Sequence, residues 1–125
     1  MREMLDVKLY LKLGGITAED IWLERLVSLN PSMKVMSITR GIERIEMDAH
    51  HHHNEEEHHD EEEKPEASCD PHIWLAPSNV KKMGAQILEH LLESMPENEI
   101  VLNKNYEKFI SDVVETDSDI QKILS

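Results

Sequence analysis

Six of the eight histidines fall within residues 50–59, as His50, His51, His52, His53, His58 and His59. They are interleaved with carboxylates in the run HHHHNEEEHHDEEE. Neutral imidazole is the commonest side-chain ligand for transition metals, and carboxylates add harder oxygen donors. Such a run can wrap a zinc ion with several alternative ligand sets. Its affinity should be modest, because each set must order a loose chain. Two other readings stay open on the same residues. One is a solvated acidic linker whose histidines do nothing; the other is a pH sensor whose imidazoles charge as pH falls below neutral.

A second histidine segment, CDPHIWLAP, spans residues 69–77. Pro71 fixes the backbone just ahead of His72. Asp70 is close enough to orient an imidazole or a nearby backbone N–H, and Trp74 is large enough to pack behind a ligand. Taken alone, a lone histidine in an apolar segment is more often a core or surface residue than a ligand. The remaining histidine, His90, sits beside Glu89 in HLLE, which does not match HExxH, and reads as a surface residue. No serine has a G-x-S-x-G context. The single cysteine, Cys69, gives no paired thiolate zinc pattern. No acid/base or nucleophile constellation argues for an enzyme.

The chain is strongly acidic, with 26 Asp and Glu against 13 Lys and Arg and a formal net charge of −13. Between Glu46 and Glu66 there are ten acids and one base, so most of the excess is local. That balance disfavours nucleic acid and anionic membrane surfaces as partners. No apolar run approaches the roughly 20 residues of a membrane span. The opening MREMLDVKLYLKLGG alternates lysine with apolar residues and lacks the apolar region of a signal peptide.

The elements that must position these residues follow from periodicity. DVKLYLKL (6–13) has period two and reads as a strand, broken by Gly14-Gly15. Thr17 opens a helix carrying Trp22, Leu23, Leu26, Val27 and Leu29 as its core stripe, stopped at Asn30-Pro31. MKVMSI (33–38) reads as a second strand. Strand–helix–strand with short links implies a parallel βαβ unit. Residues 47–68 show no periodicity and read as a long disordered loop rich in His and acids. Pro77 opens a helix with Val80, Met83, Ile87, Leu91 and Met95 on one stripe, ended by Pro96. A second helix is expected from about Asn103 to the end, with Phe109, Val113, Ile120 and Leu124 inward.

DPHIWLAP, preceded by a His- and acid-rich run, resembles the signature of the solute-binding proteins of zinc and manganese ABC transporters. VKLYLKLGG and WLERL…NPSMKVMSITRGIE are similar to the strand, helix and strand before that family's metal-binding insertion. LAPSNVKKMGAQILEHL and NKNYEKFISDV are similar to its next helix and the start of its long interlobe helix. The His-rich run is similar to the zinc-type members. The resemblance implies that His72 is a direct metal ligand, with Asp70 and Trp74 supporting it. It implies a site of three histidines and a carboxylate drawn from two lobes, of which this chain carries one. It also implies a divalent metal cargo (zinc, with manganese or another divalent ion possible), a membrane permease as partner and an extracytoplasmic or periplasmic location.

The sequence therefore predicts an α/β chain with a partial parallel sheet and following helices, resembling an internal fragment of the receptor's N-terminal lobe. Residues 1–46 form the βαβ part, 47–68 the loop, 69–96 the motif and its helix, and 97–125 the start of the interlobe helix. The other reading is an acidic His-rich interaction module that binds basic partners and is tuned by pH. Metal binding predicts proton release on adding zinc; the acidic module predicts salt-sensitive binding without metal.

Overall fold

The computed structural model describes residues 6–46 and 69–125. Strand β1 (Leu9–Lys12), helix α1 (Thr17–Leu29) and strand β2 (Lys34–Ser37) come first. A short 3-10 turn (Ile73–Leu75), helix α2 (Pro77–Ser94), a second 3-10 turn (Pro96–Asn98) and helix α3 (Glu99–Leu124) follow. The two strands pair in parallel, with Leu9 opposite Lys34 and Lys12 opposite Ser37. The chain is α/β, and the βαβ order read from periodicity is the order found.

Each boundary has a local cause. Gly14 and Gly15 both have positive φ, 72° and 67°, so the chain can turn out of β1 where a side chain would be strained. Thr17 is the first helical residue of α1, and Ile16 occupies the cap position without a side-chain bond. Asn30 closes the helix. Its N–H bonds Leu26 O at 2.9 Å, and its Nδ2 donates to Val7 O at 2.8 Å, tying the helix end to the segment that leads into β1. Pro77 stands at the start of α2, where its missing N–H costs nothing. Helix α3 begins at Glu99, earlier than the expected Asn103, because the Pro96–Asn98 turn hands directly into it.

The apolar core is thin. Leu23, Met33, Ile38 and Ile73 are its buried members. The helix stripe of α1 needs correction: Leu23 is inside, but Trp22 is 68% exposed, and Val27 and Leu29 are also exposed. A helix laid against two strands covers one narrow face, and no described element lies over Trp22. Helices α2 and α3 form an antiparallel pair. Gly84 lets the Phe109 ring approach so closely that a Cβ there would lie 2.7 Å from Phe109 Cε1. Val80, Met83, Ile87, Leu91 and Met95 are all half-buried, as the stripe predicts. Of the α3 stripe, Val113 is half-buried while Phe109, Ile120 and Leu124 stay exposed. Among the described residues, no helix is long and apolar enough to cross a membrane.

His90 also departs from expectation. It is 3% exposed, and its Nε2 lies 3.0 Å from Ser37 O. A carbonyl only accepts, so Nε2 carries the hydrogen in this bond. Helix α2 crosses the end of β2, and that contact turns a histidine flanked by Glu89 and Glu93 inward.

Candidate metal centre

The segment that follows Cys69 makes a tight turn before α2. The backbone N–H of His72 donates to Asp70 Oδ1 at 2.9 Å, and His72 Nδ1 lies 2.6 Å from the same oxygen. An ionised carboxylate has no hydrogen to give, so Nδ1 donates, and the lone pair of the neutral ring resides on Nε2. That is the arrangement in which a carboxylate sets the tautomer of a metal-binding histidine. The backbone N–H of His72, then its ring, hold the Asp70 carboxyl below its ordinary value of 3.8. Trp74 meets the His72 ring edge-on, with centroids 5.3 Å apart and planes at 61°. The Asn79 side-chain amide donates to Ile73 O at 3.0 Å and fixes the turn to the first residues of α2. His72 and Trp74 are both exposed, and His72 faces an open depression of 340 Å³ whose walls include Glu43, Ile45, Asp70 and Leu75.

The two ends of the 47–68 segment meet beside this turn. Glu46 and Cys69 form an antiparallel bridge, and Asp70 N donates to Ile45 O at 2.7 Å. The chain thus leaves and re-enters the fold at one place, next to His72. His50, His51, His52, His53, His58 and His59, and the loop that carries them, lie outside the described residues. Among the described residues, no three His, Cys, Asp or Glu side chains gather closely enough to hold a metal ion. His72 therefore presents one prepared donor.

Three further side chains order the frame, and the sequence reading gave none of them a role. Glu19 reaches back across the turn after β1, accepting from Leu13 N at 3.0 Å, Gly14 N at 2.5 Å and the Tyr10 hydroxyl at 3.2 Å. Burial first, and then the Glu19 charge, push the Tyr10 hydroxyl above its ordinary 10.0. Arg44 donates from Nη2 to Leu13 O at 2.8 Å and Gly14 O at 3.0 Å. Gln86, buried on α2, accepts from Arg40 N at 3.0 Å and donates to Arg40 O at 3.1 Å. The signal for Glu19 was its place just after a Gly pair; nothing local marks the other two.

A family model described as "ZnuA: Zinc-uptake complex component A periplasmic" matches residues 1–125. The chain belongs to that family. Two solved structures agree with this zinc-uptake assignment, one of ZnuA and one of a ZnuA deletion mutant with zinc bound. Each superposes with a TM-score of 0.76 at 26% identity over 98% of this chain. The chain spans 41% of the length of each of those relatives. No curated protein sequence gives a significant match. Membership of the zinc-uptake family agrees with the resemblance that the Asp70-Pro71-His72 motif carries.

Proposed function

We propose that the chain acts in the solute-binding component of a metal-uptake ABC transporter, in the periplasm, with zinc as its cargo and a membrane permease as the recipient. The observation that carries this reading is the 2.6 Å contact between His72 Nδ1 and Asp70, in a chain of the zinc-uptake family. It leaves Nε2 of an exposed ring as a ready nitrogen donor.

In this reading His72 is a direct ligand, Asp70 orients it, and Trp74 walls one side of the ring. Zinc takes four donors, or three and a water, so the other donors come from outside the described residues. His50, His51, His52, His53, His58 and His59 collect zinc weakly and raise its concentration beside His72, into whose turn the segment returns. The chemistry is capture and release, with no bond made or broken in the cargo. Manganese or another divalent ion would compete according to the common affinity order of nitrogen donors.

Calorimetric zinc titration of the chain, of a variant lacking residues 50–59 and of His72→Ala tests the reading. Zinc binding should release protons, and the heat should fall away when 50–59 are removed. Zinc binding that is untouched by both changes would sink the proposal.

A further inference from the structure

Arg44 stands two residues before the point where the insertion leaves the fold, and it reaches back to the sheet. Its Nη2 donates to both carbonyls at the end of β1, those of Leu13 and Gly14. Its Nη1 is buried and has no hydrogen-bond partner among the described residues. The Nη1 end of the guanidinium packs against Gly15, where a Cβ would fall 2.9 Å from Cζ and closer still to Nη1. Leaving a buried cationic donor unpaired is costly. The fork is therefore held by its two carbonyls and by close contact with a glycine, not by satisfaction of all its own donors.

From Arg44 the path to the imidazole is short. The next residue, Ile45, accepts from Asp70 N at 2.7 Å. Asp70 Oδ1 then takes both the backbone N–H and the Nδ1 of His72. Beyond the Arg44 side chain itself, one peptide unit, one backbone hydrogen bond and the Asp70 side chain separate the guanidinium from the ring. On the far side, Glu19 holds the N–H groups of the same two residues whose carbonyls Arg44 holds. The end of β1 is thus gripped from both sides, and it serves as a fixed point for what Arg44 carries.

We propose that Arg44 is a positioning residue for metal binding: by pinning the first root of the insertion to the end of β1, it sets the direction in which Asp70 presents the His72 ring. This rests on reading His72 as a metal-facing ligand. A purely structural Arg44 would stabilise the turn without affecting His72. Thr39 supplies the matched comparison, because its hydroxyl donates to the same Leu13 carbonyl at 3.2 Å while its other bonds run to Ser37 and Ile42 and not to Ile45 or Asp70.

The test uses the full chain labelled with nitrogen-15. Long-range proton–nitrogen spectra report the tautomer of the His72 ring without metal, and zinc added afterwards is followed at the same signals. The wild-type ring should be held with its hydrogen on Nδ1. Arg44→Met should give a mixture of tautomers and weaken zinc at His72 toward the roughly tenfold end of what losing an orienting partner costs. Arg44→Lys, a cation without the fork, should fall between, and Thr39→Val should match the wild type. The proposal is overturned if Arg44→Met leaves the tautomer unchanged, or if Thr39→Val shifts it as far. Should Arg44→Met fail to fold, Arg44→Lys is judged against Thr39→Val by the same criterion. If zinc leaves the wild-type His72 signals unmoved, the receptor reading fails instead, and the tautomer comparison still decides whether Arg44 orients the ring.

Discussion

Around the carboxyl ends of β1 and β2, side chains reach for backbone: Glu19 and Arg44 grip Leu13 and Gly14, Gln86 grips Arg40, and His90 meets Ser37. Between α2 and α3 the contact is instead largely apolar, with the Phe109 ring seated over Gly84 and Leu91 facing the same groove as Leu102. Apolar burial is non-directional and fixes mainly how near two elements come. Hydrogen bonds to backbone weaken steeply with angle and so also fix orientation. The half of the molecule that holds the His72 turn, through Asp70 N and Ile45 O, is the half built on directional bonds.

The largest effect should appear within the sheet end, where two glycines differ in what surrounds them. Gly15 and Gly41 both have positive φ, 67° and 69°. A side chain at Gly41 would meet nothing within 4 Å, whereas one at Gly15 would strike the Arg44 guanidinium. Gly41→Ala should cost only the backbone strain, about 1–2 kcal/mol. Gly15→Ala should cost that plus the charged hydrogen bonds of Arg44, for about 3 kcal/mol in total. Urea denaturation of the two variants side by side measures the difference; equal losses would mean that Arg44 does not grip the turn.

Gln86→Met comes next. It removes the two bonds that tie the Arg40 backbone to α2, and at the exposed Arg40 the loss should be the net worth of a hydrogen bond, about 1 kcal/mol. The exposed Arg40–Glu89 ion pair at 2.6 Å should not compensate. Thermal unfolding reads the loss, and an unchanged midpoint would place the 37–41 segment free of α2 in solution.

Gly84→Ala tests the apolar half, where the expected change is small. Alanine favours a helix over glycine by about 1 kcal/mol, and the Phe109 ring, 41% exposed, has room to swing away from the new methyl. The two effects should nearly cancel. A loss as large as that of Gly15→Ala would show the hairpin to be as exacting as the sheet end.

The smallest effect concerns Asp70. Its carboxyl is held below its ordinary value of 3.8 by the His72 backbone N–H and ring. A depressed folded-state value means that the contribution is fully present above the ordinary value and is lost as pH falls through the folded one. A carboxyl-carbon NMR titration should place the Asp70 midpoint below 3.8. A midpoint at or above that value would show the turn open in solution.

Much of the frame could be read from residues alone. Pro77 and Pro96 bracket α2, and the alternation in β1 with the Gly14-Gly15 break gives the strand and its exit. The motif Asp70-Pro71-His72 was legible because its hydrogen bonds span only two residues. What escaped was long-range. His90 is buried by a strand end 53 residues away, and Gln86 finds Arg40 across 46. Arg44 sits 31 residues from Leu13, and only parallel pairing brings those chain ends together. Trp22 misled in the opposite sense. Its spacing marks an apolar stripe, but spacing does not say whether another element lies over it.

The bridge between Glu46 and Cys69 has an evolutionary consequence. Because residues 47–68 leave and return through one doorway, lengthening or shortening them asks nothing of β2 or α2. Doubling the length of a flexible loop costs only about 0.6 kcal/mol of closure entropy. Histidines and acids can therefore be gained, lost or rearranged in that segment at little closure cost, and, on the proposed zinc-capture reading, a lineage could retune its capacity for loosely held metal while the Asp70–His72 turn is inherited intact.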